Sequence, residues 1–171
     1  PGRGAAEIVA EVLTETVRDF PWPKSMRWGS GSLRWVRPLH SIVCVLSDDS
    51  GTEVVPVEID GIIAGDVTRG HRFMAPEPFA VSGFEDYREK LGRAFVMLDP
   101  AERAEKIRHD AEQLAFARGL EVVEDPGLLA EVAGLVEWPV VLMNTIEERF
   151  LDLPPEVLQV SMKTHQKFLS V

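Results

Sequence analysis

Hydrophobic residues recur at helical spacing near the start of the chain and predict a helix over residues 5–19. Glutamates separate these apolar positions, which are Ile8, Val9, Val12, Leu13 and Val17. Pro21 and Pro23 end the predicted helix, because proline lacks a backbone N–H and clashes with the preceding turn. Glycines punctuate residues 24–32, which we therefore expect to form a loop.

The next pattern has the two-residue period of β-structure. Residues 39–46 are apolar on both faces, which is typical of an interior strand. The sequence DDSG at residues 48–51 predicts a hairpin turn, after which residues 53–59 return as a second strand. That strand places three side chains on one side: Val55, Val57 and Ile59. Glycines interrupt residues 61–73, where we expect a loop and a short strand.

The second half of the chain alternates predicted helices with short apolar runs. Asp99 is a good N-cap, Pro100 fits the first helical position, and Gly119 ends the helix that they begin. The buried stripe of that helix is predicted to be Ile107, Ala111 and Leu114. The other predicted elements are helices over 83–93 and 126–134, strands over 94–98 and 135–143, and a helix that begins at Pro154. This order predicts an α+β fold, a mixed sheet with flanking helices, in a single domain over residues 1–171.

The composition is that of a soluble globular protein, with 45% hydrophobic and 27% charged residues. No apolar run approaches the ~20 residues of a membrane helix, and the first residues carry glutamates where a secretory signal would be apolar. The formal net charge of −10 opposes indiscriminate coating of DNA. We therefore expect no membrane and no DNA partner. The single cysteine, Cys44, lies in an apolar run and fits a buried side chain in a reducing cytoplasm.

The familiar catalytic and metal-binding motifs are absent from the sequence. The histidines do not share a metal-ligand spacing; they are His40, His71, His109 and His165. The glycines form neither a phosphate-binding loop nor a dinucleotide fingerprint, and there is no G-x-S-x-G elbow. We predict no catalytic residue, no metal and no cofactor in this chain.

One long segment, residues 21–47, contains cations and tryptophans but no acidic residue. Its cations, which we call the first basic group, are Lys24, Arg27, Arg34 and Arg37. Guanidinium groups match phosphate geometry and indole rings stack on bases, so nucleic acid is the first candidate ligand. The alternative is that the tryptophans are core residues and the arginines a solvated rim.

Two shorter segments add further polar and cationic side chains. The second basic group lies in TRGHRF (68–73), where Arg69, His71 and Arg72 flank Gly70 and could bracket an anion. The third basic group is Lys163, Gln166 and Lys167, on one side of the last predicted helix, while Val157, Leu158, Ser161, Met162 and His165 face inward. The alternatives are a turn with two solvated arginines and a solvated helix end.

Several of these segments are long and idiosyncratic. They are FPWPKSMRWG (20–29), WVRPLHSIVCVL (35–46), TRGHRF (68–73), LVEWPV (135–140) and LPPEVLQVSMKTHQKF (153–168). Together they resemble, in the same order over residues 8–171, the β subunits of bacterial two-subunit glycyl-tRNA synthetases. The resemblance implies a fragment of the N-terminal half of a β subunit, similar to the editing domain of the phenylalanyl-tRNA synthetase β subunit. In it, 5–19 would be the opening helix, and 153–171 the helix that leads to the next domain.

The resemblance also implies partners and a place of action. The α subunit would bind ATP and Mg²⁺ and form glycyl-tRNA, within a cytoplasmic heterotetramer. This chain would contribute recognition of tRNA(Gly), by contact with the acceptor arm. The cations of the first and second basic groups would bind phosphates, Trp28 or His71 would stack on an unpaired nucleotide, and the third basic group would extend the track.

Two alternatives to tRNA recognition stay open at this point. The domain could hydrolyse mischarged tRNA, which requires a positioned water and an acid–base group such as His40, His71 or His165. It could instead be an interaction scaffold that docks the α subunit through acidic faces, including residues 85–125 with their excess of carboxylates.

Overall fold

The structure is a computed structural model that describes residues 2–49 and 51–171. The chain divides into two compact units, Pro1–Lys90 and Leu91–Val171. Its α-helices are α1 (Ala5–Arg18), α2 (Phe84–Arg93), α3 (Pro100–Phe116), α4 (Pro126–Leu135) and α5 (Pro155–Ser161). Its strands are β1 (Ile42–Val43), β2 (Val45–Asp48), β3 (Gly51–Val54), β4 (Glu58–Ile59), β5 (Ile62–Gly65), β6 (Val67–Arg69) and β7 (Pro78–Ala80). The predicted α+β class is confirmed; the proposed likeness to an editing domain and the single functional domain stay predictions.

The first unit is built on a small mixed sheet in the order β1–β5–β4, in which β1 and β5 are parallel and β4 and β5 antiparallel. The predicted strand over 39–46 is present but bends at Cys44. The Cys44 N–H donates to the Gly65 carbonyl (3.1 Å), while its own carbonyl accepts from the Val55 N–H (2.9 Å). The strand thereby passes from β5 to the β2–β3 hairpin. The predicted turn of that hairpin includes Ser50, which lies outside the described residues.

The core of the first unit lies under the return strand, as its alternation predicted. Val55, Val57 and Ile59 are all at most 1% exposed, although Pro56 interrupts the strand between β3 and β4. Around them pack Leu33, Ala64 and one face of α1. That face was predicted only in part. Its members in contact with the core are Ala6, Val9, Ala10 and Val17, whereas Ile8, Val12 and Leu13 are exposed.

Cys44 is a free, half-buried thiol beside this core. Burial raises the pKa of the Cys44 thiol, because the thiolate loses solvation there. The side chain is therefore a packing residue, in agreement with its apolar sequence context.

The second unit is helical, and α3 packs against α4. Both helices begin as their sequences require: Asp99 accepts from the Ala101 N–H (2.7 Å) and Asp125 from the Leu128 N–H (2.9 Å). The buried positions of α3 are Ile107, Ala111 and Ala115, one residue away from the predicted third position. Gly119 adopts φ +70 after the helix, a left-handed conformation that favours glycine.

The strands predicted over 94–98 and 135–143 are wrong: neither forms among the described residues. The Arg103 guanidinium explains part of this, because it donates to the carbonyls of Met97 (2.6 Å), Leu98 (2.8 Å) and Ala133 (2.8 Å). The carbonyls of Met97 and Leu98 therefore accept hydrogen bonds from this side chain and not from a neighbouring strand. The two segments still meet through the Met97 N–H and the Glu137 carbonyl (2.8 Å).

The last predicted helix is present but shorter and less buried than expected. After α5 the chain forms a π-helical turn, Met162–Gln166, which ends at Lys167 with φ +58. Leu158 and Met162 are half-buried as predicted, whereas the predicted inward positions Val157, Ser161 and His165 are exposed.

Candidate nucleic-acid interface

The loop that carries the first basic group is closed by one backbone pairing and passes close to Asp60. Met26 and Trp35 pair as an antiparallel bridge, with backbone hydrogen bonds of 2.9 and 3.2 Å. Gly31 lies so close to Asp60 that a Cβ at this position would come within 2.2 Å of the carboxylate oxygen Oδ2. A side chain at residue 31 would therefore require the Asp60 carboxylate to move, and the arms of the loop are held by the Met26–Trp35 pairing.

The tryptophans of this segment are used largely for packing. Phe20, Trp22 and Trp35 form a cluster whose ring centroids lie 4.5 to 5.7 Å apart, with Trp22 edge-on to Trp35 at 4.8 Å. Trp28 is half-buried and packs against the core. Its predicted stacking on a nucleotide stays a prediction.

The cations of the first basic group are all exposed: Lys24, Arg27, Arg34 and Arg37. Arg34 Nε donates to the Ser25 hydroxyl (3.2 Å), and Arg37 donates to the neighbouring Val36 carbonyl (2.8 Å). Across residues 2–49 and 51–171, none of the four cations forms an ion pair with a carboxylate. Their charge is therefore available to an external anion.

The second basic group lies at the end of a hairpin. β6 and β7 are antiparallel, with Arg69 opposite Pro78, and residues 70–77 connect them. Arg69 donates across this connection to the Pro76 carbonyl (2.8 Å). His71 Nδ1 accepts from the backbone N–H groups of Phe73 and Met74, both at 3.3 Å. Arg69 and Arg72 form no ion pair within the described part of the chain.

Phe73 is a residue of this hairpin that the sequence reasoning missed. Its side chain is 77% exposed, and the Arg72 guanidinium carbon lies 4.8 Å from its ring centroid. The sequence does contain a signal for this residue, because an aromatic residue follows an arginine at the end of a glycine-containing turn. We interpreted that segment only for its charge. The arrangement presents a cation and an aromatic face together.

The third basic group differs, because both of its lysines are paired. Lys163 Nζ lies 2.5 Å from Asp125, and Lys167 Nζ lies 2.8 Å from Glu131. The Lys163 ammonium, with the Leu128 N–H, holds the pKa of Asp125 below its ordinary value. Gln166 is exposed between them. All three residues stay predicted contacts, but their lysines would have to exchange a carboxylate for a phosphate.

The histidines proposed for hydrolysis are in unlike surroundings. His40 and His165 are exposed, and His71 is half-buried with Nδ1 occupied by the backbone. Within the described residues, no group of three or more His, Cys, Asp or Glu side chains could hold a metal ion. No described helix is long and apolar enough to cross a bilayer.

The acidic faces proposed as a scaffold are partly neutralised along α3. Arg108 pairs with Glu105 and Glu112, each at 2.6 Å, and Lys106 pairs with Asp110 at 2.7 Å. Large apolar side chains are exposed elsewhere in the second unit, including Leu142 (85%) and Phe116 (81%). The scaffold hypothesis stays a prediction.

The described part of this acidic α+β chain thus carries arginines without carboxylate partners on one aromatic loop and on one hairpin. The family model described as "Glycyl-tRNA synthetase beta subunit" matches residues 1–171. The chain is 75% identical over 170 residues to the glycine–tRNA ligase β subunit of Paracoccus denitrificans, covering 99% of this chain and 25% of that relative. It is 72% identical over 171 residues to those of Ruegeria sp. and Cereibacter sphaeroides, covering 100% of this chain and 25% and 24% of the relatives.

The chain therefore belongs to the glycyl-tRNA synthetase β subunit family. It spans about a quarter of the length of the curated relatives that it matches.

Proposed function

We propose that this chain is the part of a glycine–tRNA ligase β subunit that contributes recognition of tRNA(Gly), by contact with the acceptor arm. Glycine activation, with ATP and Mg²⁺, is assigned to the α subunit of a cytoplasmic assembly, and no catalytic residue is assigned to this chain. Family membership and the names of the relatives support the enzyme class. The contact with RNA is supported by the side chains of the first unit.

The observation that carries the proposal is a set of six cations that are exposed and unpaired within the described residues of a chain whose net charge is −10. They are Lys24, Arg27, Arg34, Arg37, Arg69 and Arg72. Because backbone hydrogen bonds hold the arms of the loop and the hairpin, binding of phosphates by these side chains does not require the backbone there to become ordered. An acidic surface elsewhere would repel RNA, so binding is confined to these groups.

Salt dependence is the property that separates this proposal from a purely structural role. Each phosphate that a cation neutralises releases counterions, which adds about 0.7–0.9 to the slope of log affinity against log salt. A surface rim of solvated arginines would give no such slope.

The test is tRNA(Gly) binding by this chain across a salt series, with R27E/R34E as the variant. If both arginines bind phosphates, their reversal should lower the slope by about 1.4–1.8 and weaken binding at low salt by about 100-fold. The matched control is R18E/R88E, which makes the same change in net charge at two exposed arginines outside the basic groups. Equal slopes for wild type, variant and control would refute the assignment.

A further inference from the structure

The most exposed aromatic side chain of the first unit among its described residues is Phe73, at the end of the β6–β7 hairpin. A single exposed apolar residue needs no explanation by itself. Phe73 differs from such a residue because the backbone that carries it is hydrogen-bonded and a guanidinium lies over its ring.

The turn around Phe73 is held without any ligand. His71 Nδ1 accepts from the N–H groups of Phe73 and Met74, and the His71 carbonyl accepts from the Ala75 N–H (2.9 Å). On the other arm Arg69 donates to the Pro76 carbonyl (2.8 Å). These bonds fix the backbone on both sides of the ring, so a ligand would meet a preorganised surface.

The Arg72 guanidinium lies over the ring, with its carbon 4.8 Å from the centroid. Arginine over an aromatic face is attracted by the ring quadrupole. The planar cation occupies one face of Phe73, and at 77% exposure the rest of the ring is open to solvent. A nucleobase could stack on the open part of the ring while the phosphate of the same nucleotide contacts the arginine.

We infer that Phe73 and Arg72 form a stacking platform for an unpaired nucleobase of the bound RNA. This inference rests on the proposed function and names the part of the RNA that the hairpin would take. Duplex RNA does not offer a base face, whereas a single-stranded end does. Stacking of one base on an aromatic side chain strengthens binding by roughly 5-fold or more.

The test compares two RNA hairpins of equal phosphate number, one blunt and one with a single-stranded 3′ end that carries 2-aminopurine. The variant is F73L, which keeps an apolar side chain, and F73W is the matched control that keeps an aromatic face. Since Phe73 is exposed, both variants should fold. We expect F73L to weaken binding of the single-stranded end about 5–10-fold and of the blunt hairpin less than about 2-fold. Quenching of 2-aminopurine should occur with wild type and F73W and disappear with F73L.

The outcomes separate this inference from the proposed function. If both hairpins bind with the expected salt slope and F73L changes neither, the platform is refuted and the proposed function stands. An equal loss for both hairpins would place the contact in their loops, which also carry unpaired bases, and would refute a platform for the single-stranded end. If wild type binds neither hairpin, the proposed function fails and the platform fails with it.

Discussion

Both units carry a basic group that the sequence predicted, but these groups differ in what their cations contact. In the first unit, Arg27 and Arg34 form no ion pair within the described residues. In the second unit, Lys163 and Lys167 each lie within 2.8 Å of a carboxylate of the neighbouring helical region. Equal local charge therefore does not mean equal availability. A cation is open to a ligand only where the fold brings no carboxylate to it.

The difference has its origin in residues far along the chain. Residues 21–47 contain no acidic side chain, and the Asp60 carboxylate lies close to Gly31 of their loop. Residues 163–167 instead meet Asp125, the N-cap of α4, and Glu131 in the middle of that helix. Because exposed ion pairs contribute only about 0–1 kcal/mol, these pairs compete with phosphate and do not forbid it.

The largest effect on stability is expected at Arg103, a cation of the second unit committed to the fold. R103M removes all three hydrogen bonds to the carbonyls of Met97, Leu98 and Ala133, and should lower the free energy of unfolding by about 2–4 kcal/mol. R103K keeps the charge and should lose less. Denaturant unfolding followed by circular dichroism measures both.

We do not expect Arg103 to contact RNA. R103M, studied where it is fully folded, should bind tRNA within about 2-fold of wild type, because the guanidinium is already occupied. A folded R103M with unchanged stability and strongly weakened RNA binding would show that Arg103 is an RNA ligand, and the contrast between the units would be lost.

A smaller effect is expected at Asp125, which both caps α4 and pairs with Lys163. D125A loses both contacts, and D125N keeps the cap because asparagine serves equally well there. The Lys163 ammonium holds the pKa of Asp125 below the ordinary 3.8, so its contribution is complete above that value. It is lost as the pH falls through the lower pKa of the folded state.

Thermal unfolding at several pH values measures the contribution of Asp125 to stability. At pH 7 the melting temperature should fall in the order wild type, D125N, D125A, and wild type and D125N should converge as the pH falls well below 3.8. A gap between wild type and D125N that persists at the lowest pH would contradict the assigned ion pair.

The fold was predictable from the sequence where a structural preference acts over only a few residues. The cap Asp99 and the alternation of Val55, Val57 and Ile59 predicted the right elements, because capping and burial act within a few residues. The strands predicted over 94–98 and 135–143 were wrong because Arg103, a non-local partner, takes carbonyls that pairing would need. Apolar runs alone do not reveal such a partner.

The candidate site was predictable in its cations but not in their surroundings. The spacing of charges predicted Arg27 and Arg34 as candidate site residues. The ion pairs of Lys163 and Lys167 depend instead on carboxylates about forty positions earlier in the sequence, which only the fold brings into contact. Phe73 escaped notice because an aromatic residue in sequence is more often buried than exposed. Exposure is decided by tertiary packing, so it was visible only in three dimensions.

The smallest expected effect is on tRNA affinity and concerns the third basic group, whose lysines are paired with carboxylates. E131Q removes the partner of Lys167 without touching the cap of α4, so it frees one lysine in place. The matched control is E121Q, the same change of charge at an exposed glutamate. If the first unit dominates RNA binding, both variants should raise tRNA affinity by less than about 2-fold, through the reduced net charge alone. An increase of about 10-fold for E131Q over E121Q would instead make Lys167 a latent contact, held back by its carboxylate, and would bring the third basic group into the interface.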